Sequence, residues 1–331
     1  MITDARALRP DFVPRDLHHR DGQIGHLSSV LAPSALDRAE DVCLFGPSGA
    51  GKTTIAKYTL SQLGREMLGM RWGYVNCMAD STHAAVLHKL VREIGLGADL
   101  RREGSPSSEA IHRLRQCDDQ IVAILDEVAV LGEQPLLALW EVPNVSLICI
   151  TTDEDRWFTD LGSAAQSRMQ SAATIRLEKY SYGELLDILN SRISHGLIGS
   201  RVDEEAVAYI ADVAAGDARR AIAILRRAAD HVESEDIRQL TAAVVEGVIE
   251  DADEEIRERR VRSLGTHQRL LLRIITEASE IDSGTLHARY EDRSPTPKSR
   301  SSRWRYLKSL QRYDLIDAAG EGRGCDYISR L

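Results

Sequence analysis

Short apolar runs alternate with longer stretches of helical spacing through the first half of the chain. Five runs, each bounded by polar or turn-forming residues, are short enough for buried strands: 42–45, 72–75, 121–125, 145–150 and 174–177. Because helical stretches lie between them, the pattern predicts an α/β fold with a parallel sheet covered on both faces. From Ser181 the strands stop. Ser181 and Glu184 have the spacing of a capping box, which predicts the first of several consecutive helices.

A third pattern follows the acidic cluster at 250–255. Helices are expected at 268–278, 283–290 and 302–313, and two short strands are expected around a glycine-rich turn at 320–324. Helices followed by such a hairpin are typical of a winged helix. The hydrophobic pattern therefore predicts three domains: a parallel-sheet base at 1–179, a helical domain at 180–255 and a C-terminal winged helix at 256–331.

Composition narrows the class of protein. The chain has 331 residues, of which 43% are hydrophobic and 28% charged, as in ordinary globular proteins. No signal peptide or membrane span is evident, so we expect a cytoplasmic protein without a membrane partner. The five cysteines lie far apart, which favours neither a disulfide framework nor a zinc site. Although the net charge is −9, basic residues outnumber acidic ones from Arg257 onward, so any nucleic-acid surface is expected there.

A phosphate-binding motif follows the first predicted strand. Residues 46–53 read GPSGAGKT and match the P-loop pattern, with a helical stretch directly after them. Its glycines allow backbone N–H groups to surround phosphates, and the following helix adds a positive dipole end. The motif predicts ATP or ADP with Mg²⁺ as cofactors, Lys52 on the β- and γ-phosphates and the Thr53 hydroxyl on Mg²⁺. The expected contacts are Gly46, Pro47, Ser48, Gly49, Ala50, Gly51, Lys52, Thr53 and Thr54.

Two carboxylates end the third predicted strand. In IVAILDE, Asp126 would hold Mg²⁺ and Glu127 would polarise the attacking water, because ligands of α/β sheets bind beyond the carboxyl ends of strands. Phosphoryl transfer also needs groups that stabilise charge at the γ-phosphate. Thr152, at the end of the fourth strand, and the arginines Arg168 and Arg219 are candidates. Taken singly, each could equally be an ordinary strand-end threonine or a solvated arginine.

The order of these motifs carries a resemblance to a known family. The segments that carry the resemblance are the N-terminal DFVPRDLHHRDGQIGHL followed, in this order, by GPSGAGKT, ILDE, ICITTD, SRMQSA and GDARRAIAILRRAA. The whole chain resembles the archaeal initiator ATPases related to the origin recognition complex and cell division control proteins. The resemblance implies an AAA+ P-loop base, a helical lid and a winged helix. It also implies roles for six residues: Val13, Pro14 and Arg20 near the adenine, Thr152 as sensor 1, Arg219 as sensor 2, and Arg168 as an arginine finger for a neighbour's ATP.

This chain departs from the family pattern at two of those positions. Sensor 1 is commonly Asn in the family, where this chain has Thr152. The finger is usually preceded by Asp-Pro, where this chain has Gln166 and Ser167. The assignment of Arg168 depends most heavily on the resemblance.

A basic stretch predicts the DNA-binding surface. Residues 293–312 contain seven basic side chains and no acidic one. In a winged helix the second or third helix enters the major groove and the hairpin follows the backbone, so basic residues there would neutralise phosphates. The expected contacts are Arg300, Arg303 and Lys308 on the helix and Arg323 on the wing. A surface for protein contacts is the alternative interpretation of the same stretch.

The resemblance implies an ATP-dependent initiator of DNA replication. Such a protein would recognise double-stranded origin DNA and support helicase loading, with slow ATP hydrolysis as the switch. A replicative helicase, head-to-tail self-association on DNA and a place on the nucleoid are the further expectations. Two alternatives stay open: an ATP-gated transcriptional regulator or protein-interaction switch built on the same domains, and a chain that binds ATP but hardly hydrolyses it. Glu127 argues against complete loss of hydrolysis.

Overall fold

A five-stranded parallel sheet forms the base. The computed structural model describes residues 1–10, 12–14, 17, 19–32, 39–100, 106–320 and 325–331. The strands are β1 Val42–Phe45, β2 Met70–Asn76, β3 Gln120–Asp126, β4 Val145–Thr151 and β5 Ala173–Arg176. They pair in the order β2-β3-β4-β1-β5 and every pairing is parallel. The five predicted strands and their parallel arrangement are therefore confirmed.

Helices cover both faces of this sheet. They are α1 Asp21–Leu31, α2 Lys52–Glu66, α3 His83–Glu93, α4 Ser107–Arg115, α5 Gln134–Trp140, α6 Glu154–Asp160 and α7 Ser163–Gln170. Successive side chains of a strand point to opposite faces. Cys43 and Phe45 accordingly join one apolar cluster, whereas Val42 and Leu44 join another. The carboxyl ends of β3, β4 and β1 thus meet at one sheet edge, with buried apolar layers above and below.

Five helices form the lid. They are α8 Tyr182–Gly196, α9 Glu204–Ala214, α10 Ala218–Ser234, α11 Ala242–Glu246 and α12 Ile249–Ser263. The predicted capping box opens α8, since the Glu184 N–H donates to the Ser181 hydroxyl at 3.3 Å and the Ser181 N–H donates to the Glu184 carboxylate at 2.7 Å. None of the described helices is long and apolar enough to cross a membrane.

The lid extends beyond the limits proposed from the sequence. The N-terminal residues, placed with the base by sequence, pack on the lid instead: Met1 and Leu8 lie in its apolar core, and Arg192 of α8 donates to the Ala7 carbonyl at 2.7 Å. At the other end, the proposed boundary after residue 255 falls inside the continuous helix α12. Lid and C-terminal domain therefore share one helix.

The described residues of the C-terminal segment, 264–320 and 325–331, form three helices and three strands. These are α13 Thr266–Ala278, β6 Glu280–Asp282, α14 Ser283–Arg293, α15 Arg300–Arg312, β7 Ile316–Ala319 and β8 Asp326–Ser329. The strands form an antiparallel sheet in the order β6-β8-β7. This is the element order that a winged helix requires. Strand β6 is not predicted by the sequence, because three residues are too few for an alternating pattern to be recognised.

The C-terminal domain packs directly on the base, and its apolar core is continuous with one base cluster. The Gly265 N–H donates to the Met78 carbonyl at 3.1 Å. Arg305 donates to the Leu131 carbonyl at 3.5 Å. Nearby, Arg156 lies over the ring of Trp304 at 4.2 Å. Helical spacing favours a core position for Trp304, but the residue is 41% exposed at the edge of this interface. Helix α15 thus faces the base along part of its length.

Candidate nucleotide-binding site

Three glycines give the P-loop its shape. Gly46, Gly49 and Gly51 have φ angles of +143°, +75° and +89°, values that residues with a Cβ atom rarely adopt. Space is restricted as well, since a Cβ at Gly46 would lie 2.2 Å from the Leu177 carbonyl oxygen and one at Gly49 would lie 2.0 Å from Asp217. The loop backbone therefore requires glycine at these positions.

Lys52 is held across the loop. Its ammonium group donates to the carbonyls of Gly46 and Pro47 at 2.7 and 2.8 Å. The residue is only 8% exposed. Burial lowers its pKa, and the nearby carboxylates of Glu127 and Asp126 act in the opposite direction. The lysine is thus a buried cation that faces a cavity and that, among the described residues, donates to carbonyls of the loop itself, which suits a phosphate ligand.

Oxygen ligands converge beside Lys52. The Thr53 hydroxyl donates to Asp126 Oδ2 at 2.7 Å, and the Tyr74 hydroxyl donates to the same oxygen at 3.0 Å. Burial, and to a smaller extent the charge of Asp126, raises the pKa of Tyr74. The Tyr74 phenol therefore stays a neutral hydrogen-bond donor. Mg²⁺ prefers one or two carboxylate or hydroxyl ligands plus phosphate oxygens and water. The Thr53 and Asp126 oxygens fit that requirement.

Glu127 stands at a strained turn next to Asp126. It adopts a left-handed conformation with φ +57° and begins the short 3₁₀ helix Val128–Val130. Its N–H donates to Asp126 Oδ1 at 3.0 Å. Burial and the neighbouring charge of Asp126 raise the pKa of Glu127, while the cations Arg312, Lys52 and Arg219 oppose that rise. A carboxyl with a raised pKa at a cavity wall is suited to accept a proton from water.

These residues border one cavity of about 730 Å³. Base, lid, N-terminal segment and C-terminal domain all contribute to its walls. The residues expected from the sequence that line it are Val13, Pro14, Ser48, Gly49, Gly51, Lys52, Thr53, Thr54, Asp126, Glu127, Thr152 and Arg219. The size suits a nucleotide.

The first turn of α10 brings the lid over the P-loop. Arg219 donates to the Ser48 hydroxyl at 3.5 Å, and the Ala218 N–H donates to the Gly49 carbonyl at 3.3 Å. Asp217 caps the helix by accepting from the Arg220 N–H at 3.0 Å. Lid and loop are therefore in direct contact where the phosphates would lie.

Some of the expected residues lie behind the cavity wall. Gly46, Pro47 and Ala50 shape the loop without lining the cavity. Arg20 is buried, donates to the carbonyls of Ala50 and Glu178 at 3.3 and 2.9 Å, and lies over the Tyr180 ring at 4.1 Å. Arg20 therefore braces the P-loop from behind.

Arg168 lies outside this cavity. It pairs with Asp41 at 3.0 Å and covers the Trp140 ring at 4.8 Å. Its side chain is 38% exposed. No role at the nucleotide of its own chain follows from this position.

The N-terminal segment, residues 9–10 and 12–14, contributes to the cavity wall. Phe12, Val13 and Pro14 line the cavity together with Ile188 and Arg192 of α8. Arg192 donates to the Phe12 carbonyl at 3.1 Å and lies over the Phe12 ring at 4.9 Å. Burial lowers the pKa of Arg192 to about 10. Sequence reasoning missed Arg192, because it fixes the segment through contacts distant in sequence.

Sequence reasoning also missed the contribution of the C-terminal domain. Tyr313, directly after α15, lines the cavity with Arg260 of α12. The two residues are linked, since Arg260 donates to the Tyr313 carbonyl at 2.8 Å. No local motif marks either position.

The structure separates the expected DNA contacts. Arg300 is exposed and Lys308 is half-buried. Arg303, in contrast, is 6% exposed, pairs with Glu291 at 2.7 Å and lies over the Tyr290 ring at 5.2 Å. The expectation that Arg303 contacts DNA phosphates is therefore corrected, because its side chain stabilises the domain interior. Arg323, expected on the wing, lies outside the described residues.

Comparisons with known proteins define the class. A family model described as an AAA domain matches residues 37–153. A second model, described as the Cdc6 AAA+ ATPase-type lid domain, matches residues 186–262. The chain is an AAA+ ATPase, in agreement with its P-loop, its Asp126–Glu127 pair and its helical lid.

Relatives then define the family. The chain is 39% identical to ORC1-type DNA replication protein 1 of Halobacterium salinarum over 303 residues, which cover 91% of this chain and 98% of that protein. It is 34% identical to ORC1-type DNA replication protein 9 of the same organism, over 99% of this chain and 93% of the relative. The chain belongs to the family of ORC1-type DNA replication proteins.

Solved structures agree with the fold. The structure of the Aeropyrum pernix ORC1 protein in complex with DNA matches with a TM-score of 0.71 and 22% identity, covering 100% of this chain and 93% of that one. The ADP form of the Aeropyrum pernix ORC2 protein matches with a TM-score of 0.67 and 24% identity, covering 99% and 94%. At these identities the likeness establishes the arrangement of elements alone.

Proposed function

We propose that this chain is an ATP-controlled initiator of DNA replication that binds double-stranded origin DNA and supports helicase loading. The observation that carries the proposal is the shared cavity: Arg219 of the lid and Lys52 and Glu127 of the base border the same space. A nucleotide there would contact both domains. Hydrolysis of the γ-phosphate would remove interactions that join them, so it can change their relative angle. Membership of the ORC1-type family supports this function.

The residues of the cavity have separate tasks in this scheme. Thr53 and Asp126 would hold Mg²⁺, which neutralises phosphate charge when bound. Lys52 would bind the β- and γ-phosphates, and Arg219 would contact the terminal phosphate from the lid. Glu127 would polarise the attacking water, oriented by the Thr152 hydroxyl. Slow ATP hydrolysis is expected, because the function of such a switch depends on which nucleotide is bound and not on how much ATP is consumed.

The DNA surface is proposed on the C-terminal domain. Arg300 and Lys308 are the helix contacts, since neither forms an ion pair with a described residue and both keep exposed surface. Arg323 stays a prediction for the wing. The Aeropyrum pernix ORC1 protein, which shares this fold, has been solved in complex with DNA, which supports DNA binding by this chain.

Three further parts of the proposal concern the protein's surroundings. A replicative helicase is the proposed downstream partner. Head-to-tail association on DNA would place Arg168, whose side chain is partly exposed, at a neighbour's nucleotide. The chromosome in the cytoplasm is the proposed place of action.

Nucleotide binding is tested by Lys52→Ala. ATP and ADP affinity are measured by calorimetry, and both are expected to disappear because the buried cation in the loop is removed. Lys89→Ala, on the exposed surface of α3, is the matched control and should bind normally. Undiminished ATP affinity in Lys52→Ala would refute the assignment of the P-loop.

DNA binding is tested by the salt dependence of duplex affinity. Removing one lysine or arginine from a phosphate should reduce the slope of log K against log salt by roughly 0.9, so Arg300→Ala with Lys308→Ala should reduce it by about 1.8. Arg65→Ala, an exposed arginine of the base, serves as the control. An unchanged slope in the double variant would remove α15 from the interface.

The site of action is tested by mapping where the protein is bound across the genome. Bound sites are expected at replication starts, whereas bound sites at promoters would favour the transcriptional alternative.

A further inference from the structure

The N-terminal residues are attached to the lid, although they precede the base domain in sequence. The Thr3 N–H donates to the carbonyl of Gly196, the last residue of α8, at 2.8 Å. Met1 and Leu8 lie in the apolar core of the lid. Any surface that these residues and the chain directly after them present to the cavity is therefore carried by the lid.

Arg192 of lid helix α8 extends this attachment to the cavity. Its Nη1 atom donates to the Ala7 carbonyl at 2.7 Å, and its Nη2 atom donates to the Phe12 carbonyl at 3.1 Å. The same guanidinium lies over the Phe12 ring at 4.9 Å, and the residue is only 7% exposed. Because the guanidinium is planar and rigid, its two nitrogens fix the two carbonyls relative to α8. Arg192 itself lines the cavity.

Beyond Pro14 the chain crosses to the base domain. Leu17 packs against an apolar cluster of that domain, and Arg20 donates to a P-loop carbonyl at 3.3 Å. Val13 and Pro14 lie between these contacts and the lid contacts of Arg192, and both line the cavity. This part of the chain therefore connects lid and base domain along the cavity wall.

The cavity wall has a different chemical character here than at the P-loop. At the P-loop it presents the charged or hydroxyl-bearing side chains of Lys52, Thr53 and Asp126. The N-terminal side and α8 present six apolar residues: Pro10, Phe12, Val13, Pro14, Leu17 and Ile188. Apolar side chains suit the faces of a heteroaromatic ring, whereas phosphates are bound by cations and N–H groups. The nucleobase of a bound nucleotide is therefore expected at the wall that Arg192 holds.

We propose that Arg192 is a positioning residue for the nucleobase: by holding residues 12–14 against α8, it makes the nucleobase a ligand of the lid. The phosphates, in contrast, are ligands of the P-loop in the base domain. This inference rests on the proposed nucleotide binding and adds a specific role for the nucleobase to it. By thermodynamic linkage, nucleobase binding must favour the closed lid to the same extent that closure favours the nucleobase.

This arrangement divides the lid contacts into two kinds. Arg219 approaches the P-loop and responds to the terminal phosphate, which hydrolysis removes. The wall held by Arg192 contacts the nucleobase, which ADP keeps. Hydrolysis would therefore change the angle of the lid without releasing it, because the nucleobase end stays attached.

The first test compares ATP with tripolyphosphate, which carries three phosphates but no nucleoside, by calorimetry with Mg²⁺ present. In Arg192→Met, ATP affinity should fall about tenfold or more, because two hydrogen bonds from a charged group are lost. Tripolyphosphate affinity should change less than about twofold. Arg192→Lys should lose less ATP affinity than Arg192→Met, because it keeps the charge but not the planar group. Equal fold-losses for the two ligands in Arg192→Met, or no loss for either, would overturn the proposal.

Arg238→Met is the matched control for this comparison. Arg238 is an exposed arginine of the lid between α10 and α11. Its replacement should leave the affinities for ATP and tripolyphosphate unchanged. A loss of ATP affinity in this variant equal to that in Arg192→Met would show that any change of charge on the lid has the effect, and would also overturn the proposal.

The second test measures lid closure itself. Spin labels are placed at the exposed positions Leu68 of the base domain and Glu235 of the lid, in a background where the half-exposed Cys117 is replaced by Ser. In the parent, a saturating non-hydrolysable ATP analogue should narrow the distance distribution relative to saturating tripolyphosphate. In Arg192→Met, the two ligands should give the same distribution. A persistent difference between them in Arg192→Met would refute the coupling of the nucleobase to the lid through Arg192.

The nucleotide site and the role of Arg192 can be refuted separately. If Lys52→Ala binds ATP and tripolyphosphate normally, the site itself is misassigned and Arg192 has no role there. If Lys52→Ala binds neither ligand but Arg192→Met keeps the parent's ratio of ATP to tripolyphosphate affinity, the nucleotide site stands and the role of Arg192 is wrong. Thermal unfolding without nucleotide establishes whether both Arg192 variants are folded. Should Arg192→Met be unfolded, Arg192→Lys decides, since an unchanged ratio in that variant would overturn the proposal.

Discussion

The close approach of Gly51 to Tyr180 allows a sharp test of how the P-loop is supported. Gly51 precedes α2 with φ +89°, and a Cβ atom there would lie 2.5 Å from the Tyr180 hydroxyl oxygen but 3.5 Å from its ring carbon. Gly51→Ala therefore introduces two separate penalties. The left-handed backbone costs about 1–2 kcal/mol for a residue with a Cβ atom, and the steric overlap adds roughly 1–3 kcal/mol.

Only the second penalty depends on the hydroxyl. Tyr180→Phe removes that oxygen, and because no described residue hydrogen-bonds to it, the single variant should change stability by less than about 0.5 kcal/mol. In the double variant, the roughly 1–3 kcal/mol of overlap should be recovered while the backbone penalty remains. The coupling energy between Gly51 and Tyr180 thus isolates their steric interaction.

Hydrogen exchange of the α2 amides is the appropriate assay, because a chain of several domains need not unfold in one step. The opening free energy should fall by about 2–5 kcal/mol in Gly51→Ala, and ADP affinity should fall with it. If Gly51→Ala and the double variant are equally destabilised, Tyr180 is not the obstacle and does not limit the space beside the loop.

Three further outcomes follow from the site and its supports. Ser181→Ala removes the capping box with Glu184 and should lower the stability of α8 by about 0.5–2 kcal/mol, measured by exchange of its first amides; no change would contradict the cap. Trp157→Ala empties a site that is 1% exposed and in edge contact with Phe45, so the thermal midpoint should drop with a destabilisation of about 3–5 kcal/mol. Burial raises the pKa of Glu127, and Glu127 must be ionised to act as the base. On acidification, kcat should therefore begin to fall at a pH above the range in which an ordinary glutamate becomes protonated. A midpoint near about 4.3 would contradict that reasoning.

The local features of this protein could be predicted from sequence because each is encoded within a few neighbouring residues. The strand Val42–Phe45, the P-loop after it and the Asp126–Glu127 pair are continuous patterns whose physical requirements are short-range. The same holds for the Ser181 capping box. The P-loop and the Asp126–Glu127 pair meet at one edge of the sheet, because ligands of open parallel sheets bind beyond the carboxyl ends of the strands.

The remaining features depend on contacts between distant segments. Arg303 belongs to the same basic stretch as Arg300, yet it pairs with Glu291 inside the domain, a choice that composition cannot reveal. Arg192 and Tyr313 lie far along the chain from the P-loop and carry no motif. The three-residue strand β6 exists because β8 pairs with it. Such features arise from packing, which a single sequence does not display.

Helix α12 has a mechanical consequence. Its first half is tied to the lid, where Arg220 pairs with Asp253 at 2.7 Å and Arg226 pairs with Glu255, and its second half carries Arg260, bonded to the C-terminal domain. The 15 residues of α12 span about 22 Å. A lid tilt of roughly 10° would therefore swing the far end by about 4 Å. Such a rotation at the nucleotide would therefore move the C-terminal end of α12 by a distance comparable to the step between neighbouring base pairs.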